Sequence, residues 1–229
     1  MPAHNNWIGD DALDKAAPLL KIPKELARLT LNFSGAEYIT AVLDQWGIDP
    51  EKLQYLGHGA YAQAYWVKND RKKIIKFTRD STDAEALMNV LLKPDKSLVK
   101  VYKIAKLGPN DVHAILAEKL LQLSGSEKKG WYNFFNYVYY HNISPALYGG
   151  VCPEWTEELT DRLKADEIPS DFQKQIKQCV VWGKALESRQ IDFFDLHAGN
   201  VMKRGRQDVI IELGLATAPH KKIPVITLD

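Results

Sequence analysis

The apolar positions of this chain change period twice. Over residues 1–52 they recur at helical spacing. Ile39, Val42, Leu43 and Trp46 fall on one face, Ser34-Gly35-Ala36-Glu37 ahead of them has the spacing of a capping box, and Gly47 is placed to end the helix. A weaker helix is predicted from Asp11 to Leu20, before Pro23. From Leu53 the pattern turns to short apolar runs bounded by glycine and polar turns, which predicts strands. Residues 53–67 read as strand, turn and strand around Gly57 and Gly59, Lys68 to Arg71 as a turn, and Lys72 to Phe77 as an apolar strand. Thr82-Asp83-Ala84-Glu85 then opens a helix with Leu87, Met88, Leu91 and Leu92 on its apolar side. Two further strands, Leu98 to Ala105 and Val112 to Leu120, are predicted on either side of Gly108-Pro109-Asn110-Asp111.

Past Ser124-Gly125-Ser126-Glu127 the helical period returns. Trp131, Phe134, Phe135, Val138 and Tyr139 make an aromatic stripe. With no basic patch beside it, the stripe reads as a core face and not as a platform for stacking bases. Pro169 to Gln173 caps another helix, with Phe172, Ile176, Cys179, Val180, Gly183 and Leu186 on one face. Val201-Met202-Lys203 and Asp208 to Glu212 form a hairpin about Arg204-Gly205-Arg206-Gln207. The expected organisation is α+β: a helical extension (1–52), a strand-rich antiparallel lobe (53–121) and a reduced helical lobe (122–229).

Composition narrows the class. With 229 residues, 45% of them hydrophobic, the chain can fill a sizeable core. Its 30 Lys+Arg against 29 Asp+Glu leave a net charge of +1, so no global field points to nucleic acid or a membrane surface. Cys152 and Cys179 have neither paired spacing nor a nearby His cluster, which suggests no disulfide framework or zinc site. The N-terminus lacks a basic region followed by an apolar one, and no apolar run approaches the ~18 residues of a membrane span. A cytoplasmic protein is expected.

The candidate chemistry gathers between Asp192 and Leu215. Asp195 and Asn200 stand five positions apart across a Gly-containing loop, and the hairpin then delivers Glu212 beside Gly214. The order matches metal-assisted phosphoryl transfer, which needs a carboxylate for the attacking hydroxyl, an amide oxygen for one Mg²⁺ and a second carboxylate between Mg²⁺ and the phosphates. Upstream, Gly57 and Gly59 supply a tight turn whose backbone N–H groups can approach phosphates with no Cβ in the way. Lys76 follows in an apolar strand, and Glu85 in the next helix is available either to that Lys or, through Thr82, to a capping box.

These features in this order resemble the protein-kinase-like superfamily. The Asp-Leu-His-Ala-Gly-Asn wording is closer to its aminoglycoside-phosphotransferase and other atypical members than to the His-Arg-Asp wording of typical eukaryotic kinases. The resemblance implies a two-lobed fold using ATP and Mg²⁺. It makes Asp195 the base, Asn200 and Glu212 the metal ligands, Lys76 the phosphate anchor and Glu85 its orienting partner. It also places Gly57, Gly59, Tyr61 and Ala62 over the phosphates and assigns adenine to the Glu118 carbonyl and the main chain of Leu120. Two residues depart from the family. Phe193 stands where a His usually precedes the catalytic Asp, and Glu212 stands where the metal-binding residue is Asp. No Ala-Pro-Glu follows, so the chain looks like a minimal kinase. The expected function is a Ser/Thr protein kinase. The alternatives are a small-molecule kinase of the aminoglycoside-phosphotransferase type and a catalytically weak nucleotide-binding protein. The expected partner is a protein or small-molecule hydroxyl, with neither nucleic acid nor membrane.

Overall fold

The computed structural model describes residues 10–20, 23–32, 35–109 and 111–228. Three helices come first: α1 (Asp10–Leu20), α2 (Lys24–Asn32) and α3 (Ala36–Gln45). The strands β1 (Leu53–His58), β2 (Ala62–Val67) and β3 (Lys73–Thr78) lead to α4 (Ser81–Leu92), β4 (Val101–Leu107) and β5 (His113–Glu118). Then come α5 (Gly125–Tyr140), α6 (Pro153–Lys164), α7 (Gln173–Glu187) and five short strands. The short strands are β6 (Asp192–Phe193), β7 (Val201–Arg204), β8 (Gln207–Ile210), β9 (Ala216–Thr217) and β10 (Val225–Ile226). The fold is α+β.

These elements form two compact units. One unit takes the chain up to Ala84, Tyr102–Lys119 and the chain from Lys222; the other takes Glu85–Val101 and Leu120–Lys221. Leu29 of α2 and Ile39, Val42 and Leu43 of α3 enter the same core as Leu53, Tyr65, Val67, Ile75, Phe77 and Leu116, so α2 and α3 share the core of the strand unit.

In the first unit the sheet order is β1-β2-β3-β5-β4-β10. The pairs β1–β2, β2–β3 and β3–β5 are antiparallel, while β10 adds a parallel pairing to β4. The predicted Ser34 cap lies outside the described residues. At the other end of α3, Gly47 adopts φ 65°, and its N–H and that of Ile48 close onto the carbonyls of Asp44 and Leu43 at 2.8 Å each. A left-handed residue is required there, and glycine adopts it without a Cβ clash. Helix α2 was not anticipated from the sequence. It starts directly after Pro23, whose carbonyl accepts the Ala27 N–H at 2.9 Å.

The second unit is built on buried aromatics. A capping box joins Ser124 and Glu127 at the start of α5, and Trp131, Phe134 and Val138 are buried as the stripe predicts. Tyr139 is 70% exposed, so the buried face is narrower than expected. The unforeseen α6 brings Trp155, and α7 brings Trp182 stacked on Trp131 with ring centroids 5.0 Å apart. Each indole N–H finds a carbonyl, Trp155 on Ile143 at 2.6 Å and Trp182 on Ser97 at 3.1 Å. Rings of this size bury about 150–250 Å² each, and pairing the N–H removes the cost of dehydrating it. On α4, Leu92 points to solvent and Val90 is buried instead. Among the described residues no helix is long and apolar enough to cross a membrane.

Candidate active site

The glycine hairpin, β1 and β2, is closed by Gly59 N–H on the Ala62 carbonyl at 2.9 Å. A Cβ added at Gly57 or Gly59 would meet nothing within 4 Å, so the turn's backbone faces open space. Tyr61 at its tip is 53% exposed, and Ala62 pairs with Thr78. Lys76 lies on β3 across from Ala64.

Lys76 Nζ meets Asp83 Oδ2 at 2.8 Å, with Asp83 fully buried. This corrects the expected pairing with Glu85, whose carboxylate instead faces His220 Nδ1 at 3.2 Å. Residues two apart on a helix point about 200° away from each other, so Asp83 and Glu85 cannot share a side. The alternative use of Glu85, in a capping box with Thr82, gives way to a cap at Asp80. Asp80 Oδ1 accepts the backbone N–H groups of Thr82 at 3.0 Å and Asp83 at 3.2 Å, which seats the first turn of α4 and with it the Lys76 partner.

Glu118 ends β5 opposite Lys73, and the Lys119 N–H then donates to the Lys72 carbonyl at 2.7 Å. Leu120 follows, largely buried.

In the second unit β6 pairs with β9 and leads into the loop of Asp195. Phe193 is completely buried, and its carbonyl accepts the Val151 N–H at 2.9 Å, so this side chain serves packing. Asn200 is buried and donates its Nδ2 to the Asp195 carbonyl at 2.8 Å. That bond fixes the amide, and its Oδ1 is left as the atom available to accept or ligate. The Ile211 N–H holds the Asn200 carbonyl at 3.0 Å, which brings the two ends of the β7–β8 hairpin together and places Glu212 one residue further on.

Glu212 lies near enough to Asp195 for its charge to be felt there. Burial pushes the Asp195 carboxyl above its ordinary value, the His197 ring opposes the rise, and the negative charge of Glu212 adds to it. His197 was part of the motif without an assigned role. Its Nδ1 accepts the Gly199 N–H at 3.0 Å, so the ring proton of the neutral form belongs on Nε2, which faces Asp195 Oδ2 at 3.8 Å. The Asp-x-His spacing was the available signal for this. For Asp83 the signal was helical geometry relative to Lys76.

The hairpin behind these residues is anchored by a buried cation. Lys203 Nζ contacts Asp208 Oδ1 at 2.6 Å and Glu127 Oε1 at 2.7 Å, and the Trp131 indole N–H donates to Asp208 Oδ2 at 3.3 Å. The main chain of Lys203 also exchanges two hydrogen bonds with Leu121, at 2.8 and 3.0 Å. Among the described residues no group of three or more His, Cys, Asp or Glu side chains forms an all-protein metal cage.

No protein-family model matches the chain, and no curated protein matches it. Solved structures that it resembles include the kinase PK-1 of Cydia pomonella granulovirus, at 11% identity and a TM-score of 0.39, over 80% of this chain and 60% of that one. Others are APH(2")-IIa in a ternary complex with streptomycin and ATP, at 13% and 0.34, and the ADP-bound aminoglycoside phosphotransferase APH(2'')-Ib, at 12% and 0.37. Each of these two likenesses covers 81% of this chain and 72% of the other. The chain thus spans 60% of the length of the viral kinase. The likenesses are slight, and the chemistry of the site stands on its own residues.

Proposed function

We propose that this chain is an ATP- and Mg²⁺-dependent phosphotransferase that passes a γ-phosphoryl group to a hydroxyl, with a protein Ser or Thr as the preferred acceptor. The observation that carries the reading is the arrangement of Asp195, Asn200 and Glu212. One buried amide is locked by the Asp195 carbonyl with its oxygen free, and a second carboxylate lies close enough to raise Asp195.

The donor set fits Mg²⁺. That ion takes hard oxygen ligands, and at phosphoryl-transfer sites one or two protein groups suffice because phosphates and waters complete the shell. Asn200 Oδ1 and the Glu212 carboxylate would hold it, and a bound ion would neutralise charge on the phosphates. Lys76, oriented by Asp83, offers an ammonium to phosphate oxygens. The exposed backbone at Gly57 and Gly59 lets N–H groups approach the same anion. Asp195 accepts the proton of the acceptor hydroxyl as that oxygen takes the phosphoryl group and ADP departs.

Glu212 supports a second reading, a nucleotide-binding protein with slow transfer. Its carboxylate reaches one methylene further than the family's Asp, and a misplacement of about 1 Å costs on the order of a hundredfold in rate. A small-molecule acceptor is the third possibility, since the same residues serve it. The deciding experiment incubates the chain with labelled ATP and Mg²⁺, alone and with a cell extract, and maps the label by mass. Label on protein Ser or Thr supports the preferred acceptor, and label on a small molecule supports the other. No thermal stabilisation by millimolar ATP would sink the nucleotide reading altogether.

A further inference from the structure

The turn between β1 and β2 is tied to the N-terminal helices through side chains that the phosphotransfer chemistry does not use. β1 carries an irregularity: Tyr55 pairs with Tyr65 but Gly57 pairs with Ala64, so Leu56 is an extra residue in the strand. Side chains alternate faces along a regular strand, and Tyr55 and His58, three apart, would fall on opposite sides. One extra residue reverses that parity, so both sit on the face of Tyr65 and Gln63.

The consequence is a chain of contacts within one unit. Arg28 of α2, 6% exposed, places its guanidinium 4.0 Å from the centre of the Tyr55 ring and lies 3.9 Å from Glu25. The Tyr55 ring meets Tyr65 edge-on at 5.6 Å, and the Tyr65 hydroxyl is spent on Gln63 Oε1 at 2.7 Å. The Tyr55 hydroxyl and His58 Nδ1 share a hydrogen bond, and the two rings lie nearly parallel, 21° apart. His58 is the residue between Gly57 and Gly59.

We infer that Arg28, Tyr55 and His58 form a positioning relay by which α2 holds the glycine turn in shape before any nucleotide arrives. The turn needs such a hold. Its two glycines have the widest backbone freedom of any residue, and a loop ordered in advance loses less entropy on binding. Arg28 fixes the plane of Tyr55, Tyr55 fixes His58 by one hydrogen bond, and His58 fixes the turn from its middle. The nucleotide half of this inference rests on the phosphotransferase reading; the ordering of the turn does not.

The test is amide hydrogen exchange on the ligand-free full chain, comparing wild type with Tyr55→Phe, Arg28→Ala and Arg28→Lys. Tyr55→Phe keeps the ring under Arg28 and removes only the hydroxyl, so it avoids the folding risk of Arg28→Ala. Exchange of the 57–62 amides should rise about fivefold, the scale of one net hydrogen bond. Exchange in the α2–α3 core should stay at wild-type values, and the melting temperature should fall by no more than about 2–4 °C. Arg28→Ala should raise the same amides, and Arg28→Lys should restore them in part, because an ammonium still sits over the ring. In the same preparations the ATP dissociation constant should weaken by a similar factor with kcat unchanged. Unchanged exchange at 57–62 in Tyr55→Phe overturns the relay. So does a rise spread over the whole unit, which would mean a merely structural role. Failure of the wild type to bind ATP ends the phosphotransferase reading instead, while the exchange data still decide the relay.

Discussion

Removing the ammonium of Lys203 should be among the most damaging single changes in the second unit. Lys203→Met keeps the volume of the stem and leaves Asp208, whose side chain is 2% exposed, as a buried carboxylate without its 2.6 Å partner. Breaking one side of a buried pair costs about 3–5 kcal/mol, mostly the dehydration of the orphaned charge. Two contacts soften this: Lys174 Nζ lies 3.7 Å from Asp208 Oδ2, and the Trp131 N–H still donates to the same oxygen. The expected loss is therefore at the low end, about 3 kcal/mol, or a fall of about 6–12 °C in Tm for a chain of this size. Differential scanning calorimetry at neutral pH reads it directly. Adding Asp208→Asn removes the buried charge and keeps an acceptor for Trp131, so the double variant should recover most of the loss. A loss below about 1 kcal/mol in Lys203→Met would mean that the pair is solvated and not buried. A double variant as unstable as the single one would locate the loss in packing and refute the charge argument. A pH series adds an independent check. Lys203, with help from Ser124, lowers the Glu127 carboxyl from 4.5 to about 2. For a depressed carboxyl the stabilisation is present above the unfolded value and is lost as pH falls through the folded one. The wild type should lose this contribution between about pH 4.5 and 2, and Lys203→Met should show a smaller step, because the Ser124 hydrogen bonds to Glu127 remain.

Three further outcomes are expected. Asp195→Asn should lower phosphotransfer by about 10²–10⁴-fold and leave ATP affinity nearly unchanged in calorimetry; a loss of affinity would show the base to be misassigned. Because the folded-state Asp195 carboxyl is raised, wild-type activity should fall on an acid limb above the ordinary value of 3.8. The same raised value stabilises the protonated fold at low pH and is lost as pH rises, so the uncharged Asn should raise Tm at pH 7. Glu212→Asp, which draws the carboxylate back by about one carbon–carbon bond, should increase transfer by about tenfold or more, while equal or lower activity would mean that the site has adapted to Glu. Asp83→Asn should weaken ATP binding more than Glu85→Gln, since Asp83 holds Lys76; the reverse order, read by isothermal titration, would return that role to Glu85.

By itself the sequence determined most of the element types and singled out the candidate residues. Helical and alternating periods placed α3, the β1–β2 hairpin, β3, α5 and α7, because each buries one face and the spacing of that face is local information. It also put Asp195, Asn200 and Glu212 in an order that only a few chemistries use, since a short loop and hairpin keep such residues close in space whatever surrounds them. Tertiary structure decided the rest. Whether Asp83 or Glu85 meets Lys76 depends on the rotation of α4 about its axis, which the cap at Asp80 and the buried side of that helix set together. The placement of α2 and α3 inside the strand core, and of Trp182 beside Trp131, follows from long-range burial that no local period encodes. The parity change at Leu56 is of the same kind. A one-residue bulge leaves almost no trace in composition, yet it turns His58 from one face of the sheet to the other and joins the glycine turn to Arg28.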